Sequence, residues 1–329
     1  MSQVSRVMSG VRVTGSLHIG HYWGTLRNWF KLQNDFECFF GVMDWHGMTS
    51  AYKSSYEIPG WTKEIFAELI AWGLDAQKNT FFIQSQVPEH LELFMIFANM
   101  TPMGWLERVT TWKDAEEEAK QNDTHNLGRF AYPVLQTADI ALYRADKVPV
   151  GQDQVAHLEI SREIVRRFNH IYKAKLPEPK PLLTETPLIP GLDGRKMSKS
   201  YGNTLLLTEP DEKALKKKVN MMLTDPQRAR RENPGNPEVC PVYYYHKLYS
   251  SKSDLEWVVT GCTTAGIGCG DCKGRLAQNI EMLTKEPRER KKELMSDTKK
   301  LTELMEMGNE KARKEARKTL EIVRSCMKW

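Results

Sequence analysis

Four nitrogen-bearing side chains, His18, His21, Lys196 and Lys199, occur in two short segments far apart in the chain. The first segment is Thr14-Gly15-Ser16-Leu17-His18-Ile19-Gly20-His21, and the second is Lys196-Met197-Ser198-Lys199-Ser200. In the first, Gly15 and Gly20 permit a tight strand-to-helix turn, and free amides at a helix start favour an anion. His18 and His21 lie one helical turn apart, so both can face the same phosphates. The second segment sets its lysines among Gly191, Gly194 and Gly202, in a loop able to close over a leaving pyrophosphate. Singly, a His-x-x-His pair is commonly a surface or core feature, and a basic turn is commonly a solvated one. In this order and at this distance, the two suit ATP-dependent activation of a carboxylate.

Two further constellations carry chemistry. Asp139 stands in an otherwise apolar helical stretch with Val134, Leu135, Ala138, Ile140, Ala141 and Leu142. A carboxylate there is costly unless it has a partner. Cys240, Cys262, Cys269 and Cys272 give C-x21-C-x6-C-x2-C among glycines that let four thiolates converge. An all-cysteine set suits an iron–sulfur cluster or structural zinc, and spacing does not choose between them. Cys38 and Cys326 fall outside the pattern.

These residues need a scaffold, and the apolar pattern supplies one. Strands are expected at 6–11, 37–43, 80–84 and 147–151. Helices are expected at 22–30, 59–72, 89 to about 120 with a break at Thr101-Pro102, 130–143 and 153–168. Such alternation predicts an α/β fold: a doubly wound parallel sheet of Rossmann type with a helical insertion around 85–125. Asp44, His46, Asp153 and Gln154 then fall at strand ends. After Thr208 only helical patterns remain, at 212–223, 243–250 and 274–284, so an all-helical C-terminal region follows. The boundaries are placed at 1–205, 206–286 and 287–329, the last segment being amphipathic helices packed on the body. A net charge of +5 permits nucleic-acid binding without requiring it. No stretch is long and apolar enough for a membrane span, and Met1 to Arg6 lacks a signal-peptide core.

The paired signatures resemble those of the class I aminoacyl-tRNA synthetases. The middle segments, Ala131-Tyr132-Pro133-Val134-Leu135-Gln136-Thr137-Ala138-Asp139-Ile140 and Val148-Pro149-Val150-Gly151-Gln152-Asp153-Gln154, resemble the tryptophanyl-tRNA synthetases of bacterial type. Phe81 to Pro88, Thr110 to Asp114 and Val155 to Asn169 continue the likeness over nearly the whole length. Tyrosyl enzymes share the fold and both signatures but not this middle segment. Val13 departs from the family's usual proline, and Gln136 from a common methionine.

The resemblance implies a cytoplasmic, homodimeric tryptophan–tRNA ligase that forms tryptophanyl-adenylate and passes it to tRNA(Trp). His18, His21, Lys196 and Lys199 are the implied catalytic groups, with Mg²⁺ sharing the phosphate charge. Arg12, Thr14, Gly15, Gly20, Asp153, Met197 and Ser198 are implied at ATP, Asp153 on the ribose hydroxyls. Asp139 is implied to accept the indole N–H. Tyr132 and Gln154 would hold the ammonium and carboxylate, with His46 and Gln136 as polar neighbours and Met8, Val148 and Val150 as walls. The cysteine motif resembles a subset of bacterial tryptophanyl enzymes with a 4Fe–4S cluster in the anticodon-binding domain; zinc is the alternative. Arg228, Arg230, Arg231 and Lys216 to Lys218 are candidates for tRNA phosphates. The stretch Leu91 to Ala119 is a candidate dimer surface. The competing reading is a non-catalytic, cluster-bearing RNA-binding paralogue.

Overall fold

The computed structural model describes residues 5–108, 124–152, 155–183 and 189–329. Five parallel strands form one sheet in the order β3-β2-β1-β4-β5. They are β1 (Arg6–Arg12), β2 (Glu37–Met43), β3 (Thr80–Ile83), β4 (Lys147–Val150) and β5 (Lys180–Leu183). β2 is buried from Cys38 to Met43, as a strand covered on both faces must be. β1 pairs with β2 along its whole length, from Arg6–Glu37 to Arg12–Met43, but meets β4 only at Val7–Lys147. Strand order reverses between β1 and β4, and ligands of such sheets bind beyond the strand carboxyl ends at that reversal.

Helices α1 (Arg27–Leu32), α2 (Asp44–Ala51), α3 (Ile58–Ala71), α4 (Glu89–Ala98), α5 (Leu127–Leu142) and α6 (Val155–Tyr172) connect and cover the strands. The apolar faces of α4, α5 and α6 close on Met8, Phe39, Phe82, Leu142 and Phe168 in one core, while Trp29 of α1 stacks on Phe40 and Phe66 of α3 on Phe81. Phe97 belongs to this core, whereas Leu91, Met95 and Met103 are exposed. The expected segments 110–114 and 153–154 lie outside the described residues.

The chain divides into two compact units. One comprises 1–16, 25–186 and 294–329; the other comprises 17–24 and 187–293. The second is built from α7 (Glu212–Asn220), α8 (Pro241–Tyr249), α9 (Lys252–Thr263) and most of α10 (Cys269–Ser296). Its core gathers Ile19, Leu205, Val219, Tyr245, Leu276 and Ile280.

The last helix, α11 (Thr298–Met327), returns to the first unit and covers the edge strand β3. Asn309 Oδ1 accepts the Ile83 amide at 2.8 Å, so the side chain replaces a missing strand partner. At Gly308 a Cβ would lie 1.7 Å from the Phe81 carbonyl oxygen, so only glycine allows this approach.

Two elements were not legible in the sequence. β5 contains Pro181, which masks a strand and is tolerated because β5 is at an edge. α9 is rich in polar and β-branched residues and lacks a clear apolar stripe. α10 runs well beyond the expected 274–284, with Pro287 inside it. Among the described residues, no helix is long and apolar enough to cross a membrane.

Candidate active site

The first cluster lies wholly in the second unit. Gly15 adopts φ of +100°, a left-handed turn natural to glycine, and leads into a single helical turn, Ile19–His21. A π-helical turn follows at Tyr22–Leu26, a distortion frequent at functional sites. The turn is sewn to the segment 205–207: Ile19 donates to the Leu205 carbonyl at 3.0 Å and Leu207 to the Leu17 carbonyl at 2.8 Å. The His18 amide donates to His21 Nδ1 at 3.1 Å, and the His18 carbonyl lies 3.3 Å from the same nitrogen. The two rings lie 3.8 Å apart between centroids.

The lysine loop is organised by Asn203, which sequence reasoning missed. Its Oδ1 accepts the Ser198 amide at 2.8 Å, and its Nδ2 donates to Asp193 Oδ1 at 2.7 Å and the Lys196 carbonyl at 3.2 Å. Gly194 and Gly202 take positive φ, and a Cβ on Gly191 would collide with the Asn203 amide at 2.2 Å. Met197 is buried in the core beneath the loop. The two signatures therefore share one electrostatic environment. Burial, and then the charge of Lys199, lowers His18 to about 4. Burial, His18 and Lys199 lower His21 to about 3. Both imidazoles are neutral at pH 7, so positive charge here is a lysine property.

The second cluster lies in the first unit and centres on Asp139, which is 2% exposed on α5. His46, on α2, places Nε2 2.7 Å from Asp139 Oδ2. Gln84, following β3, donates through Nε2 to Asp139 Oδ1 at 2.8 Å. His90, on α4, brings Nδ1 to 2.7 Å from the same Oδ1, off the ideal N–H line. Burial alone would raise this carboxyl; the hydrogen bonds and charge of His46 and His90 reverse that and hold it well below the usual carboxylate range. Met8 and Val148 are buried in the surrounding apolar cluster and Val150 packs against it, together with Phe39 and Phe82. Gln136, one turn before Asp139, has a buried Oε1 with no partner among the described residues. Tyr132 meets His157 edge-on at 6.0 Å.

Arg12 ends β1 in the same unit and donates to Ser50 Oγ at 2.5 Å. Burial, and then the charge of Arg129, lowers its pKa. Asp153 and Gln154 lie outside the described residues. Gln84, His90 and Tyr143 were missed in the sequence because nothing beside them in the chain sets them apart from ordinary strand-end or helix residues.

Residues 2–285 match the family described as tRNA synthetases class I (W and Y). The tryptophan–tRNA ligase of Thermotoga maritima is 45% identical over 324 residues, covering 98% of both chains. That of Aquifex aeolicus is 40% identical over 392 aligned positions, covering 98% of this chain and 99% of its own. The chain belongs to the class I tRNA synthetases of the W and Y family. In structure it is similar to the tryptophanyl-tRNA synthetase of Campylobacter jejuni crystallised with ADP and tryptophan. The TM-score is 0.89 at 33% identity, covering 98% of this chain and all of the other.

In this synthetase the four cysteines line one apolar cavity with Val242, Val258 and Ile267. Burial, and then repulsion from the other three, pushes Cys272 up to about 12. Burial raises Cys262 as well, eased by Arg228, whose Nη1 lies 3.8 Å from Cys262 Sγ. Among the described residues no group of three or more His, Cys, Asp or Glu side chains stands ready to hold a metal ion. The donors nevertheless fit a thiophilic centre in kind and number. Arg228 is itself buried, donating to the Ile267 carbonyl at 2.6 Å and the Arg231 carbonyl at 3.0 Å, so it is not a surface cation. Arg230 and Arg231 are exposed.

Proposed function

We propose that the protein is a tryptophan–tRNA ligase. It activates L-tryptophan with ATP and transfers the tryptophanyl group to tRNA(Trp), releasing pyrophosphate and AMP. The observation that carries this reading is Asp139: a buried, ionised acceptor within apolar walls, the chemistry an indole N–H requires. The tryptophan carboxylate attacks the α-phosphorus of ATP in line, and pyrophosphate leaves. Neutral His18 and His21 donate hydrogen bonds to phosphate oxygens, and Lys196 and Lys199 meet the charge that grows on the leaving group. Arg12, Thr14, Gly15, Gly20, Met197 and Ser198 shape the nucleotide's surroundings, and Asp153 binds its ribose. Tyr132 and Gln154 orient the amino acid, so that positioning supplies much of the rate. Mg²⁺ is expected to take the polyphosphate itself as ligand. A terminal ribose hydroxyl of the tRNA then attacks the acyl carbonyl, and AMP departs.

Cys240, Cys262, Cys269 and Cys272 would hold a 4Fe–4S cluster, with zinc as the alternative. A bound centre of either kind deprotonates the thiols and cross-links the segments that carry them. Arg230, Arg231 and Lys216 to Lys218 are proposed to meet tRNA phosphates. A homodimer would cover exposed Leu91, Met95 and Met103.

The deciding experiment is amino-acid-dependent ATP–pyrophosphate exchange. Tryptophan should support it and tyrosine should not. Exchange driven by tyrosine would reassign the substrate, and RNA binding without exchange would favour the non-catalytic paralogue.

A further inference from the structure

Behind Asp139 the structure contains a second layer that the reaction as written does not use. His90 is fully buried and bridges two groups: its Nδ1 stands 2.7 Å from Asp139 Oδ1, and its Nε2 is 2.8 Å from the Tyr143 hydroxyl. Tyr143 is also fully buried. Its ring stacks on Phe39 at 4.7 Å and leans on Phe82 at 5.0 Å, so its position is fixed by packing. Burial, then Asp139, raises its pKa well above the ordinary value, so the phenol keeps its proton. That hydroxyl and His90 Nε2 are hydrogen-bonded to one another at 2.8 Å. A ring nitrogen 2.7 Å from a carboxylate oxygen faces it as an N–H, so Nδ1 is the edge of His90 turned to Asp139.

The consequence is an asymmetric carboxylate. Among the described residues, Oδ1 faces both Gln84 and His90, whereas Oδ2 faces His46 alone. An ionised carboxylate has about four lone-pair sites. Gln84 and His90 both crowd Oδ1 and His46 alone faces Oδ2, so the more open acceptor capacity lies on Oδ2. We propose that Tyr143 and His90 are positioning residues for amino-acid selection: they pin Oδ1 so that Oδ2 alone is offered to the indole N–H. This rests on the tryptophan reading above. Neither residue touches substrate in this scheme; both act through Asp139.

The test compares tryptophan with 3-(benzothien-3-yl)alanine, a near-isostere whose sulfur replaces the N–H, in pyrophosphate exchange. Tyr143→Phe keeps the stacked ring and removes only the hydroxyl. His90→Phe removes both contacts, while His90→Asn can return an amide N–H near the place of Nδ1. Tyr143→Phe and His90→Phe are expected to lower discrimination against the analogue by roughly tenfold to hundredfold, the cost of one lost donor to a charged acceptor. The loss should appear as a higher KM for tryptophan at nearly unchanged kcat, and His90→Asn should recover most of it. A merely structural role would not restore selectivity in the asparagine variant. Wild-type selectivity in folded Tyr143→Phe overturns the proposal, and this variant decides the matter if His90→Phe fails to fold. Absence of tryptophan-dependent exchange in the wild-type protein would instead overturn the tryptophan reading.

Discussion

Gly20 lacks a side chain where the imidazole of His18 needs room: a Cβ on Gly20 would lie 2.9 Å from the His18 ring. The glycine thus serves the histidine as well as the turn. Gly20→Ala should push the ring aside while leaving the fold intact. A displacement of about 1 Å at a reacting centre costs on the order of a hundredfold, so kcat for exchange should fall by about that factor. Circular dichroism should be unchanged.

The two signature histidines should resist protonation. An ordinary imidazole titrates near 6.5. Burial and Lys199 bring His18 to about 4, and burial, His18 and Lys199 bring His21 to about 3. In the unfolded chain both take up protons below about 6.5, which the folded chain refuses. Their contribution to stability is therefore complete above that pH and is lost as the pH falls through about 4 and then about 3. Imidazole resonances of the ligand-free protein should stay flat from pH 8 to pH 5. A midpoint near 6.5 for either would contradict the buried environment.

Much of this arrangement was legible in the residues, for identifiable reasons. β1 to β4 announce themselves by apolar runs, most densely in β2, which is buried from Cys38 to Met43 because both its faces are covered. Asp139 stands out for the complementary reason, as the single charge in the apolar stretch from Val134 to Leu142. Partners set by tertiary contact were hidden. His90 and Gln84 sit in apolar surroundings that any core histidine or glutamine shares, and only the fold brings them to a carboxylate 49 and 55 residues on. Asn203 was hidden likewise, because its role lies in the loop it closes. Nor could the sequence show residues 17–24 packing with 187–293, since that pairing rests on backbone hydrogen bonds and on Ile19 and Trp23 meeting partners far along the chain.

The α11–β3 contact should be intolerant of bulk. A methyl at 308 meets the Phe81 carbonyl at 1.7 Å, and the helix cannot move away without losing the Asn309 bond to the Ile83 amide. Gly308→Ala should destabilise the protein by about 3 kcal/mol through overpacking. Asn309→Ala should cost about 1–3 kcal/mol by leaving a buried amide unpaired. Urea unfolding curves would read both as lower midpoints.

The cysteine cavity predicts a linked loss. Free of metal, Cys272 is held near 12 by burial and its neighbouring cysteines, so it should alkylate slowly at pH 8. Cys262→Ser removes one donor of four and should lower bound iron or zinc at least tenfold. Chelation should lower the Tm of metal-loaded wild type and leave that of Cys262→Ser unchanged. Equal metal content in the two proteins would remove Cys262 from the donor set.

Asp139 gathers the largest expected effects. Asp139→Ala strands His46 Nε2, Gln84 Nε2 and His90 Nδ1 around a void. Breaking such a buried charged network costs about 3–5 kcal/mol, so Tm should fall sharply. Asp139→Asn keeps the volume and loses the charge. It should fold, yet its kcat/KM for tryptophan should fall on the order of a thousandfold, because one amide oxygen cannot serve all the donors. The pH dependence has a defined sign. A carboxyl held below its ordinary range stabilises the fold above about pH 4 and loses that contribution only as pH falls through the depressed value. Wild-type stability should therefore show no Asp139 step between pH 5 and 8. Near-wild-type exchange by Asp139→Asn would mean that the substrate ring is recognised elsewhere.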